Sequence, residues 1–156
     1  MATSTSSKVN LFISYSHADE EMKNELDKHL IMLKRSGKIE VWNDRRLVAG
    51  QEWDNEIARE LANADIILLL ISADFNNSEY IWEKELSAAI ARHEDGTARV
   101  VPIILRKCDW HDGPYAKLQA LPRGGRPVTE FGDRDEAFMD IASGIRTLVE
   151  TLTRVQ

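Results

Sequence analysis

The feature of this sequence that most constrains its fold is a run of six apolar residues, Ile66 to Ile71 (IILLLI), without a polar break. A strand with one face in water alternates apolar and polar residues, and this run does not alternate. Such a run is typical of a central strand in a parallel sheet that helices cover on both faces. It is far shorter than the roughly 20 residues that a membrane-spanning helix needs. The run therefore predicts the middle of an α/β sheet.

Strands and amphipathic helices alternate on both sides of this run. Further strands are predicted at Val9 to Tyr15, Ile39 to Trp42 and Arg99 to Leu105, with a short edge strand at Arg126 to Val128. Apolar residues at helical spacing predict helices between the strands and a long final helix. This alternation predicts an α/β fold, a flavodoxin-like open parallel five-stranded sheet of order 2-1-3-4-5 with helices on both faces.

Length, charge and cysteine content narrow the class of protein. The 156 residues fit one domain, predicted at 9–152, after a flexible lead-in at 1–8 and before a tail or the start of a linker at 153–156. The net charge of −6 disfavours direct binding of nucleic acid. The single Cys108 excludes an intrachain disulfide and is compatible with a reducing compartment. With no signal peptide or membrane span visible, the sequence predicts a cytoplasmic protein without membrane contact.

In a sheet of this order, ligands bind beyond the carboxyl ends of the strands, where strands 1 and 3 diverge. In this chain that region comprises Ser14 to His17 and Ser72 to Phe75. Its predicted walls are the loop Asn43 to Glu52 and the start of the third helix, which Ser78 can cap. The residues Ser14, Tyr15 and Ser16 are therefore candidates for substrate binding.

Several strings in the right order resemble the Toll/interleukin-1 receptor (TIR) domain, in the form common in bacteria. They are FISYSHAD (Phe12 to Asp19), VWNDRRLVAGQEW (Val41 to Trp53), ADIILLLISADFNNSEYIWEKEL (Ala64 to Leu86), and the later VVPIILRKCDW and LQALPRGGRPV. The resemblance covers residues 9 to about 152. It implies one of two activities: cleavage of NAD with release of nicotinamide and ADP-ribose or a cyclic derivative, or assembly with other TIR domains without catalysis.

In the members that cleave NAD, the resemblance implies an essential Glu on the third helix, where this chain has Glu83 and Glu85. The predicted apolar stripe of that helix consists of Trp82, Leu86, Ala89, Ile90 and His93. With Trp82 at zero and about 100° per residue, Glu85 lies at about 300°, on the flank of the stripe, and Glu83 at about 100°, on its opposite margin. Glu85 also directly precedes Leu86, as in the family's Glu-Leu pair. Glu85 is therefore the predicted catalytic residue.

Other residues are candidates for contact with NAD, which is here a substrate, so that no cofactor is expected. Asp44 is a candidate polar group in the loop after strand 2, Arg45 could meet the pyrophosphate, and Trp82 could stack on the substrate. The family's aromatic residue stands four positions before the Glu, where this chain has Ile81. Either Tyr80, one position earlier, or Trp82, one position later, could therefore supply the stacking ring. No metal site is predicted, because Cys108 and its neighbours Asp109, His111 and Asp112 lack a second ligand pair.

Two other functions remain open from the residues. The loop Asn43 to Gln51, with Leu47, Val48 and the flanking tryptophans, could join TIR domains in a non-enzymatic assembly. A phosphoacceptor receiver domain shares the strand order but needs an Asp at the end of strand 3, where this chain has Ser72. The resemblance further implies activation by self-association, a sensor domain in a longer chain, and a role as the effector module of a bacterial defence protein.

Overall fold

A parallel sheet forms the centre of the molecule in a computed structural model that describes residues 8–43 and 53–154. Within those residues the sheet has four strands in the order β2-β1-β3-β4. They are β1 Val9–Ser14, β2 Ile39–Trp42, β3 Ile66–Ile71 and β4 Arg99–Ile104. Leu11 of β1 pairs with Val41 on one side and with Ile66 on the other. The predicted α/β class, the parallel pairing and the order of the first four strands are confirmed.

Helices cover both faces of this sheet. They are α1 Glu20–His29, α2 Ile31–Arg35, α3 Trp53–Asn63, α4 Ala73–Asn77, α5 Ser87–Glu94 and α6 Arg134–Arg154. A π-helical turn, Ile81–Leu86, leads directly into α5, and short 3-10 helices lie at His17–Asp19, Arg123–Gly125 and Val128–Glu130. The sequence did not predict the five-residue α4. No helix within the described ranges is long and apolar enough to cross a bilayer.

The strand β3 is buried on both sides, as its unbroken apolar run predicted. All six of its side chains are 0% exposed. Ile66, Leu68 and Leu70 belong to the core that also contains the inner sides of α1 and α6, whereas the alternate residues Ile67, Leu69 and Ile71 belong to the core with α3 and α5. Burying each such side chain contributes about 1.5–3 kcal/mol, so a polar substitution in this strand should strongly destabilise the fold.

The predicted edge strand at Arg126 to Val128 is wrong. Val128 begins a 3-10 helix, since the fixed φ of Pro127 suits the entry to a turn. Its side chain is fully buried. The contact beside β4 comes earlier in the chain, where Leu121 forms a single parallel bridge with Ile103. The chain then turns away in the 3-10 helix Arg123–Gly125, so the pairing does not extend into a fifth strand.

Several sequence predictions fall at or beyond the limits of the described residues. The loop residues 44–52, including Asp44, Arg45, Leu47 and Val48, lie outside them, as do residues 1–7, 155 and 156. The helix α6 extends through residue 154, two residues past the predicted end of the domain.

Candidate functional site

The carboxyl end of β1 opens the candidate site. The strand ends at Ser14, and Tyr15 and Ser16 lead into the 3-10 helix His17–Asp19. Ser16 caps this helix, since its Oγ accepts a hydrogen bond from the backbone N–H of Ala18 at 3.2 Å. The cap gives the segment after β1 a defined conformation beside the helix that follows β3.

A buried hydrogen bond links the end of β1 to that helix. The Oγ–H of Ser14 donates to Oε1 of Glu85 at 2.5 Å. Ser14 is 1% exposed and Glu85 is 7% exposed. Ser14 lies on the same face of β1 as Phe12, the face that the helices after β3 cover. The bond therefore joins a strand residue to a helix residue 71 positions later in the sequence, in the interior of the protein.

The π-helical turn explains why Glu85 points inward. The helix begins after Ser78, whose Oγ accepts from the N–H of Ile81 at 3.2 Å, as predicted for its N-terminal cap. A π-helical turn holds more residues than an α-helical turn, so positions four and five apart share one face. The buried residues of the turn are Ile81, Glu85 and Leu86.

This turn corrects the predicted face of the helix. Trp82, placed on the buried stripe by the ideal α-helical angle, is 36% exposed, and Ile81 takes the buried position at 5%. Glu83 is exposed and Glu85 is buried, so only Glu85 of these two carboxylates faces the protein. Glu85 was predicted on the flank of the apolar stripe. It lies deeper than that, because its side chain is buried and bonded to Ser14.

A cleft of about 380 Å³ opens beside Glu85. This volume lies within the range of small-molecule sites, roughly 300–1,000 Å³. Its lining comes from the segment after β1 and from the start of the helix after β3: Tyr15, Ser16, His17, Ser78, Tyr80, Ile81 and Glu85. The cleft therefore lies beyond the carboxyl ends of the strands, as predicted, and combines one buried carboxylate with two tyrosine rings.

The predicted site residues lie at different places relative to this cleft. Tyr15 and Ser16 line the cleft with Glu85, while Ser14 lies behind that carboxylate. Trp82 is not among the lining residues, and Asp44 and Arg45 belong to the part of the chain that the structure does not describe. Tyr80, which stands five positions before Glu85 and was one of the two candidates for the stacking ring, also lines the cleft.

A buried cation packs against the ring of Tyr15. The ammonium of Lys23, 4% exposed, lies 5.4 Å from the centroid of the ring and 3.6 Å from the carboxylate of Asp27. The ring of His17 lies at a tilt, with its centroid 5.7 Å from that of Tyr15. These contacts fix one wall of the cleft by cation–π and aromatic packing.

A second polar network lies next to the cleft and joins three strand ends. Asp19, 3% exposed, accepts a hydrogen bond from the Oγ–H of Ser72 at 2.5 Å and from Nε of Arg106 at 2.9 Å. The same guanidinium donates to Asp74 at 2.6 Å. The hydrogen bond to Asp74 and the charge of Asp19 raise the pKa of Arg106 above its ordinary value, against the opposing effect of burial.

This network anchors the 3-10 helix after β1, and sequence reasoning missed its central residue. Arg106 follows β4 and lies 87 positions from Asp19, so no local pattern joins them. The available signal was positional, since Ser72 and Arg106 both come just after strands whose carboxyl ends meet at one edge of the sheet.

The residues near Cys108 do not form a metal site in the structure. Among residues 8–43 and 53–154, no three His, Cys, Asp or Glu side chains come together as metal ligands. The rings of Trp110 and His111 stack with centroids 4.4 Å apart. Burial raises the pKa of the Cys108 thiol, so this thiol is protonated at neutral pH.

Comparison with known proteins assigns the family. The family model for the TIR domain matches residues 11–140. The uncharacterized protein y4lF of Sinorhizobium fredii (strain NBRC 101917 / NGR234) is 49% identical over 145 residues, which cover 93% of this chain. Those residues are 45% of the relative, so the chain spans less than half of its length. With the family model matching most of its residues, and with the strand order and motifs described above, the chain belongs to the TIR domain family.

Proposed function

We propose that this TIR domain cleaves NAD at the bond between nicotinamide and ribose, releasing nicotinamide and ADP-ribose or a cyclic ADP-ribose. The observation that carries the proposal is the buried carboxylate of Glu85 in a cleft at the carboxyl end of β1. A buried carboxylate is unusual, because removing its charge from water costs free energy unless a partner compensates for it. NAD is the substrate in this proposal, and no separate cofactor is needed.

The chemistry requires one carboxylate and little else. As the C1′–N bond breaks, its electron pair moves to the cationic nicotinamide ring, which leaves as a neutral molecule without a general acid. Positive charge develops on the ribose as in glycoside hydrolysis, and a carboxylate held beside it stabilises that charge. Water then adds to C1′ and loses one proton, for which Glu85 is an acceptor among the cleft residues. In the cyclase reaction a nitrogen of the adenine base takes the place of water.

The lining of the cleft suits the nicotinamide end of the substrate. Tyr15 and Tyr80 offer aromatic rings to a flat, cationic ring, which favours stacking and cation–π contact. Ser16 and His17 offer polar groups for the ribose hydroxyls. A volume of about 380 Å³ accommodates this half of a dinucleotide and leaves the adenine half to bind outside the cleft.

Self-association activates the enzyme in this proposal, and the domain acts as the effector of a bacterial defence protein that also carries a sensor. Three observations support it. TIR domains associate with one another in general, and the matching relative from Sinorhizobium fredii contains more than this domain, since the match covers 45% of its length. Exposed apolar side chains are available for such contacts: Ile31 is 40% exposed, Met32 62% and Met139 65%.

Two matched substitutions test the role of Glu85. Glu85→Gln keeps the shape of the side chain and an acceptor for Ser14, and it removes the charge. We expect nicotinamide release, followed by chromatography, to fall by at least about a hundredfold, the scale of losing one electrostatic stabiliser of the transition state. Glu83→Gln removes the same charge from an exposed position two residues away and is expected to keep the wild-type rate. Loss of activity in Glu83→Gln with retention in Glu85→Gln would contradict the assignment.

The second candidate function is assembly without catalysis. Membership of the family favours it, because TIR domains associate with one another in general. A protein with this function alone would assemble in solution and release no nicotinamide from NAD.

A further inference from the structure

We infer that Ser14 is a positioning residue for Glu85, not a contact for the substrate. The inference rests on the proposed function and adds to it the group that holds the catalytic carboxylate in place. Ser14 is the last residue of β1 and is 1% exposed, and its Oγ–H donates to Oε1 of Glu85 at 2.5 Å. It is not among the residues that line the cleft beside Glu85.

The bond joins a rigid element to a side chain with rotational freedom. A Glu side chain has three torsions to order, whereas Ser14 is fixed by the pairing of β1 with β3, where it lies beside Leu69. A serine hydroxyl has one proton to donate, and here it is directed at the carboxylate. Hydrogen bonds to an ionised acceptor are shorter and stronger than neutral ones, so this contact helps to set the position of the carboxylate.

The position of Ser14 determines which kinetic constant depends on it. A group that touches bound NAD directly would contribute to ground-state binding, and its removal would raise KM. A group that only places the carboxylate acts when charge develops on the ribose, and its removal lowers kcat. Misplacing a reacting group by about 1 Å can lower a rate about a hundredfold.

The test compares Ser14→Ala with a matched control, Ser72→Ala. Both serines are buried at strand ends, and each donates to a carboxylate at 2.5 Å, but the partner of Ser72 is Asp19, which keeps its two contacts with Arg106. We expect Ser14→Ala to lower kcat for nicotinamide release about ten- to a hundredfold, with KM for NAD within about threefold of wild type. We expect Ser72→Ala to lower kcat by less than Ser14→Ala does, because its partner Asp19 does not line the cleft.

A hydroxyl restored at position 14 provides the second measurement. Ser14→Thr keeps the donor on a residue suited to a strand, and it should recover at least about a third of the wild-type kcat, whereas Ser14→Ala should not. Circular dichroism and thermal melting show whether each variant is folded. If Ser14→Ala does not fold, the comparison is made with Ser14→Cys, which retains a weak donor and should give a kcat below that of Ser14→Thr.

The outcomes separate this inference from the proposed function. An active wild type with an unchanged kcat in Ser14→Ala, or with a raised KM alone, would overturn the inference and leave NAD cleavage standing. Equal losses of kcat in Ser14→Ala and Ser72→Ala would show a general structural effect and would also overturn it. A wild type that releases no nicotinamide would overturn both.

Discussion

Replacing Arg106 tests the electrostatic account of the segment that borders the cleft. The side chain of Asp19 is 2% exposed, and Arg106 is its cationic partner, with contacts of 2.8 and 2.9 Å. Arg106→Met keeps the aliphatic stem and removes the charge, which leaves a buried carboxylate with the hydroxyl of Ser72 as its remaining described partner. Removing one member of a buried ion pair costs about 3–5 kcal/mol.

The exposure of Arg106 lowers this expectation. Its side chain is 35% exposed, so water can partly solvate Asp19 in the variant, and a loss of about 2–4 kcal/mol is expected. For a chain of this size 1 kcal/mol corresponds to roughly 2–4 °C, so the melting temperature should fall by about 6–12 °C for a loss of 3 kcal/mol. Circular dichroism during heating, with urea unfolding at 25 °C, provides the measurement.

The other partner of Arg106 supplies the control. Asp74 bonds to the same guanidinium but is 49% exposed, so Asp74→Asn should cost less than about 1 kcal/mol. Equal shifts in the melting temperature for Arg106→Met and Asp74→Asn would refute the reasoning, because burial would then not distinguish the two ion pairs.

Three further predictions concern the cleft, assembly and pH. Tyr80→Ala should raise KM for NAD several-fold more than Trp82→Ala, because Tyr80 lines the cleft and Trp82 does not; steady-state kinetics in which the larger effect belongs to Trp82 would contradict this. Specific activity should rise steeply with protein concentration or crowding, and a constant value across a wide dilution series would rule out activation by assembly. Burial raises the pKa of Tyr115 to about 12. The stabilisation from its protonated form is complete below about pH 10 and is lost as the pH rises to about 12, an effect of about 2–3 kcal/mol that urea titrations should show in the wild type and not in Tyr115→Phe.

The parts of the fold that follow from local patterns were predictable. The run Ile66 to Ile71 specified a central parallel strand because only burial on both faces accounts for six apolar residues in succession. The edge of the sheet beyond β4 was not predictable in this way. A proline-containing segment such as Arg126 to Val128 fits an edge strand or a turn equally well, and the packing of Val128 decides between them.

In the candidate site, too, local patterns predicted some features, and tertiary packing determined the others. Glu85 could be selected over Glu83 because both a family motif and a helix face pointed to it. The angle of about 100° per residue in an ideal α-helix misplaced Trp82, since nothing in the local sequence indicates a π-helical turn at Ile81–Leu86. The bond between Ser14 and Glu85 joins residues 71 positions apart, and such contacts arise from tertiary packing alone.

The most direct test of the central claim is nicotinamide release from NAD by the wild-type protein, measured under conditions in which light scattering shows that it has assembled. We expect stoichiometric release of nicotinamide and ADP-ribose or its cyclic form, abolished in Glu85→Ala while that variant still assembles. Visible assembly of the wild type with intact NAD would contradict the account and leave a TIR domain that acts through association alone.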